Sequence, residues 1–225
     1  MSPLSLLDAR AVLGDDVLGP EELDTVFGEG TSADSSLAIP FSRDHLAAAR
    51  GHGAMLVLRA TRTGSAAPLT ILHMLQQFPR AFDPNSLRQS GYQLREEWGI
   101  ALEPLAAADT CTPGWALVWK TIVPESCNLT YDEQDAVIDH YAGVLGGGDL
   151  RRRTAVEAIY DTLLYHAARQ RHLLERSWDW SSSATLDGGY LNVGGFGAQG
   201  MEILSFSRAV RHSQLGVCPT CQPIQ

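Results

Sequence analysis

Lysine is nearly missing from this chain. Lys120 is the only one, and arginine supplies all other fixed basic charge, a bias that fits a GC-rich coding sequence better than any particular chemistry. Lysine and arginine together number 17 against 26 aspartates and glutamates, a formal charge of -9. Neutralising phosphates needs a basic footprint, so non-specific nucleic-acid binding is excluded as a function class. Long apolar runs are also missing, so no bilayer-crossing segment and no membrane partner are expected. Met1 to Asp8 has no basic n-region, and Asp8 and Arg10 arrive before a signal-peptide core can form, which makes the cytoplasm the expected compartment. Cysteine is scarce, 4 in 225 residues, and without an export signal the four are expected as thiols.

What is present is local order, and a hydrophobic share of 44% is enough for one substantial core or two small ones. Residues 1–36 combine a proline-initiated helix start, Pro20-Glu21-Glu22-Leu23-Asp24, with the polar breaker Gly28-Glu29-Gly30-Thr31-Ser32; they are expected to form a peripheral N-terminal arm. Residues 37–128 read as an α/β region. Its elements are a Ser42-capped helix over Arg43 to Arg50, a Gly51-His52-Gly53 stop and a buried strand from Ala54 to Leu58. A helix from Leu69 to Leu75, a short one opening at Asp83-Pro84 and a strand from Trp115 to Trp119 follow.

Residues 129–225 hold the two clearest helices. Thr130 and Glu133 make a capping box ahead of a face of Gln134, Val137, Ile138, Tyr141 and Leu145. Thr154 and Glu157 make another ahead of Val156, Ile159, Tyr160, Leu163, Leu164 and Ala167. Gly146-Gly147-Gly148 between them is either a domain boundary or a turn between packed helices. Arg151-Arg152-Arg153 stands at a helix N-terminus, where the dipole disfavours cations by a few tenths to about 1 kcal/mol. An acidic group in the chain or in a partner is therefore expected to compensate. Beyond Arg176 the helical period stops, and short antiparallel strands such as Tyr190 to Val193 and Met201 to Phe206 are expected, giving an α+β fold class.

Several motifs have ordinary explanations. Gly195-Phe196-Gly197-Ala198-Gln199-Gly200 matches a dinucleotide fingerprint, but too little chain follows for a returning strand and no acid follows Glu202, so it reads as a turn. Ser181, Ser182 and Ser183 lack a nucleophile elbow and read as hydrogen-bonding serines. The basic run from His166 to His172 reads as a solvated helix face. Trp178 and Trp180, one residue apart in a strand, share a side and form either core packing or a stacking surface, with core packing expected for at least one. Cys218-Pro219-Thr220-Cys221 has the spacing of a metal knuckle or redox pair, without a second close pair to complete it.

The Thr-Ala-x-Glu helix start, Trp180-Ser181-Ser182, Gly189-Tyr190-Leu191-Asn192-Val193 and terminal Gly216-Val217 together resemble the C-type-lectin-like fold. The version in question is that of formylglycine-generating enzymes and of the variable proteins of diversity-generating retroelements. The resemblance covers Arg151 to Pro219 and implies a C-type-lectin-like C-terminal region preceded by an α/β half. In the retroelement branch, Ile203 to Ser213 would be the displayed segment. It contains neither Asn nor Tyr, residues in which such segments are rich, so a fixed member of the fold is an equal reading. The oxidase branch needs a spaced cysteine pair that this chain lacks.

The expectation is a non-enzymatic binding protein that presents Trp180, Phe206, Arg208, Arg211 and His212 to a protein or small-molecule ligand, because aromatics and arginine supply stacking and charge-assisted contacts. No catalytic residue, metal or cofactor is assigned. The alternatives are an assembly subunit of a homo-oligomer or larger complex, and a metal-dependent enzyme using Cys218 and Cys221.

Overall fold

Helices begin where a side chain can satisfy their first amides. Ser42 Oγ accepts from the His45 amide, and Thr70 Oγ1 accepts from the His73 amide. Thr130 with Glu133, and Thr154 with Glu157, close reciprocal boxes; Ser42 and the two boxes are as the sequence predicts, whereas Thr70, expected inside a helix from Leu69, caps it instead. The computed structural model describes residues 4–33, 38–78, 81, 99–145, 149–197 and 200–222. Among them the helices are α1 (Leu6–Leu13), α2 (Pro20–Phe27), α3 (Arg43–Gly51), α4 (Ile71–Gln77), α5 (Pro104–Ala108), α6 (Tyr131–Leu145) and α7 (Ala155–Arg169). The strands are β1 (Val17–Leu18), β2 (Ala54–Arg59), β3 (Gly114–Trp119), β4 (Asp149–Arg152), β5 (Trp178–Ala184), β6 (Tyr190–Gly197), β7 (Gly200–Phe206), β8 (Leu215–Gly216) and β9 (Pro219–Gln222). The helix expected at Asp83-Pro84 and the glycine run 146–148 lie outside the described residues.

Two mixed sheets result, one ordered β1-β2-β3-β9-β4 and the other β7-β6-β5-β8. In the first only β1 and β2 run parallel; in the second β5, β6 and β7 form an antiparallel meander, and β8 pairs parallel to β5. The fold is α+β, as expected. Residues 1–36 are not a peripheral arm where they are described: β1 pairs with β2, and Ala9, Val12, Leu13, Leu23 and Phe27 are buried in the main core. The apolar spacing of these short helices outweighs the polar breaker that follows them. A division at residue 128 is likewise not followed, because β9 inserts between β3 and β4, setting Cys221 opposite both Leu117 and Leu150. One core cluster consequently runs from Ala9 to Cys221.

Helix α7 is more than an amphipathic helix with one buried stripe. Ala155 to Tyr165 are all buried, including Glu157, Asp161 and Thr162. It joins both sheets: the Tyr160 hydroxyl donates to the Leu58 carbonyl at 3.3 Å, and the Ala155 amide donates to Ser183 Oγ at 2.9 Å. The arginines before it find their acidic compensation within the chain. Arg153 pairs with Asp179 at 2.8 Å and with Asp161 at 3.1 Å; Arg59, from the end of β2, pairs with Asp161 at 2.6 Å and Glu157 at 3.0 Å; Arg151 pairs with Glu157 at 2.7 Å. Three guanidiniums thus meet three carboxylates in one cluster, which removes the net buried charge that would otherwise be prohibitive.

Burial works against ionisation of Glu157, but Arg59 and Arg151 outweigh it and hold the carboxyl at about 2. A depressed folded-state value gives stability that is present above the ordinary carboxylate range and is lost as pH falls from about 4.5 toward 2. Asp179 acts in the opposite sense, since burial raises its value despite Arg153. Glu157→Gln is expected to flatten the acid limb of stability against pH, measured by urea unfolding between pH 7 and 3; an unchanged limb would contradict the assignment.

The last feature that positions the site is Gly194, opposite Trp178 across β5 and β6. A Cβ there would stand 2.0 Å from the Ser177 carbonyl oxygen and 2.7 Å from Trp178 Cα, so only glycine lets the two strands close at this point.

Candidate ligand-binding face

The two-residue period of the meander sorts its side chains. Leu191 and Val193 of β6, and Met201 and Ile203 of β7, enter the main core. Trp178 and Trp180 of β5, Tyr190 and Asn192 of β6, and Leu204 and Phe206 of β7 take the other face, where a second and smaller aromatic cluster forms. Tyr131, the first residue of α6, belongs to it: its ring stands edge-on to Trp180 at 5.3 Å and lies 4.2 Å from Tyr190. The Arg152 guanidinium is 3.9 Å from the Tyr131 ring centre, and that of Arg208 is 5.3 Å from Tyr131 and 5.6 Å from Tyr190. Burial pushes the Tyr131 phenol up to about 12, which keeps it neutral at physiological pH.

The β7–β8 loop, residues 207–214, folds back onto the start of α6. The Tyr131 amide donates to the Arg208 carbonyl at 3.0 Å, and the Asn128 amide donates to the His212 carbonyl at 3.0 Å. Arg208 pairs with Asp132, and Arg211 donates to Glu133 at 2.6 Å and to the Asn128 carbonyl at 3.2 Å. The Glu133 carboxyl is held at about 2, first by the Thr130 amide and then by Arg211. His212 meets the edge of Trp178 at 6.1 Å, and Trp178 donates through Nε1 to Glu202 at 3.1 Å.

Four of the five residues expected at the site come together here: Phe206 half-buried, and Arg208, Arg211 and His212 exposed around it. Trp180 is a correction. It is 0% exposed and fills the cluster from beneath, because Tyr131 covers the sheet face on which it lies. Core packing for one of the two tryptophans is therefore the outcome, with Trp178 the half-buried partner. Sequence reasoning left Trp178 open between core and stacking surface, and missed Tyr131, Tyr190 and Asn192 as site residues. The alternation within Tyr190-Leu191-Asn192-Val193 could have named two of them; Tyr131 carried no signal beyond following a cap.

Beside this face a groove of about 560 Å³ opens between α6 and β4, lined by Asp135, Ile138, Leu150, Arg151, Arg152 and Ser182 among others. Its arginines are engaged internally: Arg152 donates to Asp135, to Gln134 at 2.9 Å and to the Trp180 carbonyl at 3.2 Å. The groove and the aromatic face thus share one anchor.

Other candidates have structural roles. Ser181 Oγ donates to the Leu191 carbonyl at 2.7 Å, and Ser182 bonds the Arg153 carbonyl. Within the glycine-rich fingerprint Gly195 to Gly197 end β6 and Gly200 opens β7, antiparallel to it, where a dinucleotide site needs a helix. Arg169, read as part of a solvated face, instead donates to the Asp15 and Val17 carbonyls and to Glu22 at 2.7, 2.9 and 2.9 Å. Cys218 and Cys221 are buried free thiols, both raised by desolvation above the ordinary thiol value, which disfavours the thiolate that a metal needs. Among the described residues no group of three or more His, Cys, Asp or Glu side chains is arranged to hold a metal ion, and no helix is long and apolar enough to cross a membrane.

Comparison with known proteins adds no relative: no family model matches the chain, and neither a curated protein nor a solved structure is significantly similar to it.

Proposed function

We propose that this chain is a non-enzymatic binding protein of the C-type-lectin-like kind, with the outer face of its four-stranded sheet and the 207–214 loop as the surface that meets a protein partner. The observation that supports this reading is the half-buried aromatic cluster of Trp178, Tyr190 and Phe206, rimmed by Arg208 and Arg211. Aromatic anchors inside a charged rim are the composition in which binding energy concentrates. The segment Ile203 to Ser213, displayed in the retroelement variable proteins that the chain resembles, supplies Phe206 and the arginines of this rim. Among the described residues no side-chain constellation compels a reaction.

The test is Phe206→Ala and Arg211→Ala, each compared with the parent chain for capture of the same purified partner and for its far-ultraviolet circular dichroism. Loss of capture by about tenfold or more with an unchanged spectrum is expected, since truncating an anchor residue costs about 1–2 kcal/mol or more. Capture retained by both variants would overturn the reading. Persistent oligomers of the isolated chain in dilute solution would favour an assembly subunit instead.

A further inference from the structure

Beneath the aromatic face lies polar chemistry that the fold leaves unused. Asn192 is 0% exposed, and neither its carbonyl oxygen nor its amide nitrogen has a hydrogen-bond partner; Trp180, also 0% exposed, has an unpartnered indole Nε1. The two residues are direct partners across β5 and β6, so their side chains leave the sheet on the same face. Leu191 and Val193 on either side of Asn192 enter the main core, which places the Asn192 side chain under the aromatic cluster with Tyr190. Buried polar groups are almost always paired, and three orphans side by side call for an explanation.

The cover above them is weakly fastened. It consists of the Tyr131 and Tyr190 rings, with Arg208 over both, and of the 207–214 loop. The end of that loop is held to β5 by the Trp178 amide, which donates to the Gln214 carbonyl at 2.8 Å. Toward Asn128 and the start of α6 it has two backbone bonds, the Arg211 donation to the Asn128 carbonyl, and the Arg208–Asp132 and Arg211–Glu133 pairs, whose side chains are all about half exposed and open to screening. The backbone of the sheet floor, by contrast, is fixed by the β5–β6–β7 ladder.

We infer that Asn192 and Trp180 form the polar floor of a subsite that takes a side-chain carboxamide, that of a glutamine or asparagine, inserted by the protein partner under the aromatic cover. The unused inventory is two kinds of donor, the indole N–H and the Asn192 amide, and one acceptor, the Asn192 carbonyl. A carboxamide complements it: its oxygen accepts from Trp180 Nε1, and its N–H donates to Asn192 Oδ1. The group must be neutral, because the nearest cations are already spent, Arg152 on Gln134 and Asp135 and Arg208 on Asp132, and an added charge would be buried unpaired. It enters by displacing the Tyr131–Tyr190 contact, because rings 4.2 Å apart leave no room between them. A protein is the source because the aromatic face runs over three strands, wider than one small amide could cover.

This inference rests on the binding-protein reading, and its test uses the isolated 225-residue chain with a small probe, so that failure here leaves the partner-capture result standing. Propionamide, a glutamine side-chain mimic, is titrated against butanone, which keeps the carbonyl and the size but has no N–H to donate. The readout is the indole N–H resonance of Trp180, assigned by its loss in Trp180→Phe. A saturable shift with propionamide is expected, with butanone at least about tenfold weaker, the size of one lost hydrogen bond in a dry site. Asn192→Leu is expected to abolish the propionamide response while raising the thermal midpoint, because it removes the two orphaned amide atoms. No saturable shift, equal responses to the two probes, or a propionamide response surviving in Asn192→Leu would each overturn the inference and leave the three atoms as an internal cost or a solvent site. Should Asn192→Leu fail to fold, the comparison of the two probes on the parent chain decides alone.

Discussion

Asp161→Asn is expected to lower the unfolding free energy by about 3–5 kcal/mol, the scale for breaking a buried ion pair from one side. The denaturant midpoint should fall while the slope stays constant. Asp161 accepts from Arg59 at 2.9 and 2.6 Å and from Arg153 at 3.1 Å, and all three side chains are essentially unexposed. Without its charge, three guanidiniums face two carboxylates, and the surplus cation has no water to turn to. The loss is a large part of the roughly 5–15 kcal/mol by which domains are stable. It follows that adding Arg59→Met to Asp161→Asn should cost less than Arg59→Met alone, because the pair restores two charges against two. A double-mutant cycle should return a coupling of about 1–3 kcal/mol. Additive losses would mean that the cluster does not act as one unit.

The same cluster shows how far the sequence could be read. Three arginines at a helix N-terminus are a local contradiction, and a contradiction of that kind demands an acid. Its partners are another matter. Glu157 lies within the capping box, but Asp179 reaches Arg153 across 26 positions and Arg59 reaches Asp161 across 102. Only the closing of the sheets brings them together. Helix starts were legible at Ser42, Thr130 and Thr154 because a cap is an exchange between residues three apart. Sheet order was not: nothing local to Pro219–Gln222 says that it slips between β3 and β4, and that one insertion joins what read as separate regions. The candidate site divides in the same way. Phe206, Arg208, Arg211 and His212 lie within seven residues of one another and could be read as a surface stretch. Tyr131, 75 positions before Phe206, could not be assigned to them, and Tyr131 decides which side of the sheet is wet.

Trp180→Ala is accordingly expected to act as a core mutation, with a loss of about 3–5 kcal/mol, the range for removing a large buried aromatic. Trp180 is wholly unexposed, meets Tyr131 edge-on, and has its backbone carbonyl held by Arg152. Removing the indole would leave a cavity under Tyr131 and Tyr190, and rings 4.2 Å apart cannot both drop into it without abandoning α6 or the Arg208 contact. Trp180→Phe keeps an aromatic ring edge-on to Tyr131 and discards the unpartnered N–H, so its loss should be much the smaller of the two. Were Trp180 a displayed contact residue, truncation to alanine would change stability by no more than about 0.5 kcal/mol, as at surface positions generally. Urea unfolding of the two variants therefore separates the readings. Partner capture by Trp180→Ala would be lost through the collapse of the face that Phe206 and Arg211 occupy, whereas Phe206→Ala should lose capture from a protein that remains folded.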